Sequence, residues 1–227
     1  MSKSKFTTIG RKILMALSGF FLMFFLLQHL TINMLSVISP DMFNEVSQFM
    51  GTNPVVQFAL QPVLIFAVFF HFIMGIVLEL QNRKARSVKY AYSKPGTNSS
   101  WISRNMIITG LVVLAFLGLH FYDFWVHEIT VKYAGGDMTG LINPNDPNSG
   151  YRYYEELSLK FINPTRVILY IISFVLLSLH LMHGFQSSFQ SVGVSKGKNF
   201  IKKFGNVFAI AVPAGFVFIA IFHFLQH

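Results

Sequence analysis

The sequence predicts an all-α integral membrane bundle of five transmembrane helices, with a cytoplasmic N-terminus and the C-terminus outside. Three observations predict it. Of 227 residues, 53% are hydrophobic and only 12% charged, where soluble domains carry about 25% charged residues. Five stretches free of Asp, Glu, Lys and Arg recur along the chain, at 13–35, 55–78, 105–122, 167–186 and 204–225. Each approaches the roughly 20 residues that cross a bilayer as helix. The basic residues gather in alternate connections, as a chain threaded repeatedly through a membrane requires.

Inside lipid the backbone must satisfy its own hydrogen bonds, so each stretch is expected to be helical. The helices are placed at about residues 13–35, 55–80, 103–122, 165–190 and 204–225 of a single transmembrane domain, 1–227, without internal repeat or soluble domain. The first follows Lys3, Lys5, Arg11 and Lys12. Its apolar core is too long for a signal peptide, and no A-x-A-like site follows, so it is read as a retained helix. Pro62 in the second span and Pro213 in the fifth are expected to kink their helices. The longest connection, 123–166, holds the turn-rich NPNDPNSG.

Fourteen of the 18 basic residues lie on one side: in the N-terminus, between spans two and three, and between spans four and five. The other side has Lys132, Arg152, Lys160, Arg166 and eight of the nine acids. The positive-inside rule makes the first side cytoplasmic. The net charge of +9 therefore reflects short loops, not a nucleic-acid-binding face. The chain has no cysteine, which excludes disulfides, cysteine-ligated iron–sulfur clusters and the C-x-x-C-H site of covalent haem.

Five of eight histidines lie inside spans one to four: His29, His71, His120, His180 and His183. An ionisable group within the membrane marks a functional site by default. A neutral histidine bonded to a neighbouring helix accounts for any one of them; four helices each offering one form a different pattern. His29 lies 17 residues past Lys12 and His120 lies 16 past Arg104, about 25 and 24 Å from the cytoplasmic edge. His71 precedes Arg83 by 12 residues, about 18 Å. His180 and His183 precede Lys196 by 16 and 13 residues, about 24 and 20 Å, and less if the helix ends near Gly193. The chain thus offers an outer pair, His29 with His120, and an inner pair, His71 with either histidine of span four. Two imidazoles facing at one depth suit a six-coordinate haem iron, held non-covalently as in b-type cytochromes. Zinc would want three or four protein ligands, and only Asp123 offers a carboxylate near these histidines. Gly19, Gly75, Gly110, Gly118 and Gly184 lie in the spans and allow close approach of helices or of a flat macrocycle. A haem with two axial histidines has no open position and carries electrons, so two at different depths form a wire that needs a source and a sink.

The segments QHLTIN, FFHFIMG, LGLHFYDFW and LHLMHGFQSSFQ, together with FNEVSQFMGTNPVVQFAL before span two, give the chain a resemblance. It resembles the dihaem cytochrome b membrane anchor of succinate dehydrogenases and fumarate reductases, in the form with one five-helix subunit. The resemblance runs from Arg11 to span five, and the joint order and spacing of the segments is its specific part. It implies a distal haem on His29 and His120 and a proximal haem on His71 and His180, the histidine four residues before Gly184. His183 is then a neighbour or a propionate partner, as are Arg11, Ser18, Trp101 and Arg104. It further implies a flavoprotein subunit, an iron–sulfur subunit, a quinone expected to be menaquinone, and the bacterial cytoplasmic (inner) membrane.

A quinone needs hydrogen-bond partners for its two oxygens and a proton route. Outer-side candidates are Asn33, Asp41, Glu45, Gln57, Gln61, Asp123 and His127. Some relatives carry an acidic residue just before span two, where this chain reads Gly51-Thr52-Asn53; Glu45 is one substitute. Two other readings compete: the cytochrome b anchor of a hydrogenase or formate dehydrogenase, and a haem-free membrane transport or assembly protein.

Overall fold

The structure, a computed structural model, describes residues 8–85, 106–194 and 196–227. Apart from an isolated antiparallel bridge between Leu141 and Tyr151, its regular elements are helical. They are α1 (Thr8–Ile38), α2 (Pro40–Thr52), α3 (Gln61–Ala85), α4 (Met106–His120), α5 (Tyr153–Lys160), α6 (Pro164–Ser191) and α7 (Lys198–Leu225). Among the described residues five helices are long and apolar enough to cross a membrane, and the protein is a multi-pass membrane protein.

Local chemistry sets the ends. Ser39 caps α2, its Oγ accepting from Met42 N at 3.3 Å, with Pro40 in the first turn. Asn163 caps α6 through Thr165 N at 2.9 Å, again followed by proline. In both, proline occupies a helix position whose N–H has no partner inside the helix. Ahead of Pro62 the helix widens into a π-type turn, Val56–Leu60, and the Gln61 N–H bonds back to Val56 O. Proline has no N–H to give and its ring crowds the carbonyl four residues back, so a wider turn is the local solution.

The third span departs most from expectation. Beyond His120 the helix continues through π-type turns at Phe121–Val126 and Thr130–Ala134, so the membrane-length segment is Met106–Ala134. The expected loop from Asp123 therefore begins about three turns later, and His127 is helical. The charges that suggested a helix end are neutralised in place. Asp123 is buried and accepts from Tyr170 Oη at 2.9 Å and Arg166 Nε at 3.0 Å. Lys132 is paired with Glu128 one turn away at 2.8 Å. The other spans also run past their charge-free cores, as far as Ala85 in α3 and back to Lys198 in α7.

Helix α1 is central, touching α3, α6, α7 and α2, while α6 and α7 share the longest contact and α4 packs on α6. Small residues bring α7 close. A Cβ at Gly205 would stand 2.6 Å from the Phe185 ring, and one at Gly215 would stand 2.9 Å from Leu30. Apolar side chains on α3, such as Val63, Phe66, Phe69 and Ile73, are exposed, as expected where lipid is the solvent. The start of α1, the end of α3 and the start of α7 share a basic end. Helices α2 and α5 close the opposite, acidic end, where the Asn44 side chain accepts from Tyr154 N at 2.8 Å.

Candidate functional site

A cavity of about 840 Å³ runs along the inside of the bundle. His29 (α1), His71 (α3), His120 (α4), and His180 and His183 (α6) all line it. They meet in two places. Toward the acidic end the rings of His29 and His120 have centres 5.7 Å apart and planes at 82°. Toward the basic end His71 and His180 have ring centres 6.5 Å apart and planes at 71°. His180 is the histidine of α6 whose ring meets His71; His183 lines the cavity one turn nearer the basic end.

Four of the five glycines noted in the sequence, Gly19, Gly75, Gly110 and Gly184, line the same cavity. A Cβ at Gly19 would stand 3.5 Å from His71 Cε1, and one at Gly110 would stand 3.5 Å from His180 Cε1. Glycine there keeps the space beside each inner imidazole open. Gly118 is not on the cavity wall.

The inner imidazoles have fixed partners. Ser18 Oγ lies 3.0 Å from His71 Nδ1, and Thr109 Oγ1 lies 3.3 Å from His180 Nδ1. The outer pair differs. Asn33 Nδ2 lies 3.3 Å from His29 Nδ1 while donating to His29 O at 2.8 Å, and His120 Nδ1 is buried without a hydrogen-bond partner among the described residues.

Residues 5–81, which contain α1, α2, most of α3, His29 and His71, match the family model described as the succinate dehydrogenase/fumarate reductase transmembrane subunit. The first third of the chain is thus similar to the membrane-anchor subunits of that family. No curated protein and no solved structure matches the chain.

The remaining candidates divide by position. Asn33 and Gln61 line the cavity. Asp41 borders a separate pocket at the acidic end with Glu155 and His227, and Glu45 is exposed. Gln57 donates to Met50 O at 2.9 Å, tying α2 to the turn before α3. Asp123 is held by Tyr170 and Arg166 and lies off the cavity wall. His127 contacts Glu156 at 3.1 Å. Among the possible propionate partners, Ser18 is engaged by His71 and Arg11 sits in the first turns of α1. Trp101 and Arg104 lie outside the described residues.

Sequence reasoning missed three features. Thr109 reads as one small residue in an apolar run, yet it is buried against His180. His223 is fully buried, with Nε2 2.9 Å from Ser36 Oγ. The third is a network over the acidic end: Arg152 reaches Glu128 at 2.7 Å and Glu156 at 2.7 Å, and Lys132 donates to Gly51 O. Burial alone would lower the Arg152 pKa, but the hydrogen bonds it donates to Glu128 and Glu156 outweigh it and raise the pKa above the ordinary value. Burial, then the Glu128 charge, raises the pKa of neighbouring Tyr153, whose hydroxyl donates to Gln48 Oε1 at 2.7 Å.

Among the described residues no three His, Asp or Glu side chains gather as a metal-ion site. A haem asks for something else, two axial groups and a flat apolar slot. Two imidazoles bound to one metal at about 2 Å each hold their ring centres about 6 Å apart. The separations of 5.7 and 6.5 Å, the glycine-walled space and the engaged Nδ1 atoms of the inner pair all fit such a group.

Proposed function

We propose that this chain is the membrane subunit of a succinate dehydrogenase or fumarate reductase, and that it is a dihaem cytochrome b. It passes electrons between the iron–sulfur subunit of its complex and a membrane quinone, expected to be menaquinone. The observation that carries this reading is the pairing of four histidines, from four helices, at two depths of one cavity. His29 and His120 would hold the distal haem, and His71 and His180 the proximal one. When bound, each haem supplies a one-electron couple without an open coordination position. The chain's own residues orient the axial imidazoles, keep water from the apolar slot and leave Gly19 and Gly110 as clearance beside the inner rings.

Succinate and fumarate chemistry belongs to the flavoprotein subunit of such a complex, and this chain is the electron carrier and anchor. The basic end, on the cytoplasmic side of the bacterial inner membrane, faces the iron–sulfur subunit. The quinone exchanges electrons toward the acidic end, where Asn33 and Gln61 line the cavity beside the outer histidines.

Haem content per polypeptide, measured as pyridine haemochrome on the purified complex, tests this reading; two b haems per chain are expected. His29→Ala and His120→Ala should lose the same haem, and His71→Ala and His180→Ala the other. Absence of haem from a folded, haem-supplied preparation would refute the reading, and loss of different haems in His29→Ala and His120→Ala would refute the outer pairing.

A further inference from the structure

We propose that Ser18 and Thr109 are positioning residues that fix the tautomer of the inner imidazoles, protonated at Nδ1 and bare at Nε2, and thereby lower the reduction potential of the proximal haem relative to its value without them. The inference rests on the dihaem reading above.

A hydroxyl has one hydrogen. Ser18 Oγ lies 2.9 Å from Met15 O, and Thr109 Oγ1 lies 2.9 Å from Met106 O. A carbonyl oxygen can only accept, so each hydroxyl hydrogen is committed to the backbone three residues earlier. Toward the histidine each oxygen then presents a lone pair, which suits a protonated Nδ1 at 3.0 and 3.3 Å. In a neutral ring the other nitrogen, Nε2, is then the bare one. The same arrangement appears on two helices, α1 and α4, against two different ring-bearing helices, α3 and α6. Ser18 and Thr109 are both buried, 9% and 3% exposed, so water does not compete for these bonds.

The outer pair lacks this arrangement. Among the described residues His120 Nδ1 has no partner, and the Asn33 nitrogen near His29 Nδ1 already serves His29 O. An acceptor at the far nitrogen raises the basicity of a ligating imidazole, and a more basic ligand favours the oxidised iron. The effect should fall on the inner pair alone. It should also be larger at Ser18 than at Thr109, because the Ser18 contact is the shorter, 3.0 Å against 3.3 Å.

The test is equilibrium redox titration of both haems in the intact complex, carrying Ser18→Ala, Ser18→Thr, Thr109→Val or Thr109→Ser. The haem missing in His71→Ala identifies the proximal signal. Ser18→Ala should shift the oxidised-to-reduced ratio of the proximal haem about tenfold toward the reduced form, about 59 mV upward for a one-electron couple. Thr109→Val should shift it less. Ser18→Thr and Thr109→Ser should restore wild-type potentials, and the distal haem should not move. An unmoved proximal potential, an equal shift of both haems, or no rescue by the hydroxyl-retaining variants would overturn the proposal. Nitrogen-15 spectra of the histidine-labelled, haem-free chain separate this from the parent reading. His71 should show a protonated Nδ1 and a bare Nε2 whether or not haem binds, and the opposite tautomer would overturn the positioning role by itself.

Discussion

Tyr153 shows how much one side chain does at the acidic end. Its hydroxyl donates to Gln48 on α2, while Arg152 beside it spans Glu128 and Glu156. Tyr153→Phe removes one hydrogen bond and should cost about 1 kcal/mol of stability. Because the folded-state pKa of Tyr153 is raised, its contribution is fully present below the ordinary tyrosine value, about 10. It is lost as pH rises through the folded value. The stability difference between wild type and Tyr153→Phe, followed by melting in detergent, should stay flat up to about pH 10 and shrink above it. Arg152→Met removes the cation that joins Glu128 to Glu156 and leaves Glu128 with Lys132 alone. It should destabilise by more than Tyr153→Phe, roughly 2 kcal/mol, and the same melting series measures it. None of this was legible in the sequence, where Arg152 and Glu128 lie 24 residues apart in what read as one long loop. Thr109 escaped for a similar reason: a hydroxyl within an apolar helix announces its partner only when a neighbouring helix is in place.

Helix packing turns on a few small residues. Gly205 faces the Phe185 ring, and any Cβ there must push an aromatic side chain that is itself held in the α6–α7 contact. Gly205→Ala should therefore cost about 1–3 kcal/mol despite its better helix propensity, read as a lower melting temperature of the purified complex. Gly140 is constrained twice: its φ of +67° suits glycine, and a Cβ would run into the Gln48–Tyr153 hydrogen bond. Gly140→Ala should loosen the connection over the acidic end, measured as faster proteolysis between α4 and α5. The sequence marked the cores of all five spans but not their ends. Charge was read as a boundary, whereas Asp123 and Lys132 stay within the helical segment because Arg166, Tyr170 and Glu128 pair with them. Pro62 was expected to kink its helix; the structure shows the turn that precedes it widened.

The whole molecule is two-ended. Fourteen of 18 lysines and arginines fall in one set of alternate connections and eight of nine acids in the other, a pattern expected to put the basic connections in the cytoplasm. A reporter fused after His227 should be accessible from outside the cell and one fused before Met1 only from the cytoplasm, as labelling of intact cells would show. A reversed pattern would place the basic end, and with it the inner histidine pair, on the wrong side for an iron–sulfur partner.

What the sequence determined by itself was one-dimensional: how many times the chain crosses, which connections are basic, and how deep each histidine lies. Hydropathy and helical rise depend only on order along the chain. The depth argument set His29 level with His120 and left span four with two candidates. Both rings of span four line the cavity, and the tertiary structure adds which of them meets His71, because a helix face points where packing sends it. His180 meets His71 within 6.5 Å, with Gly110 opening the space beside its ring and Thr109 at its Nδ1. Those partners come from a helix some 70 residues away, and no pattern within span four could name them.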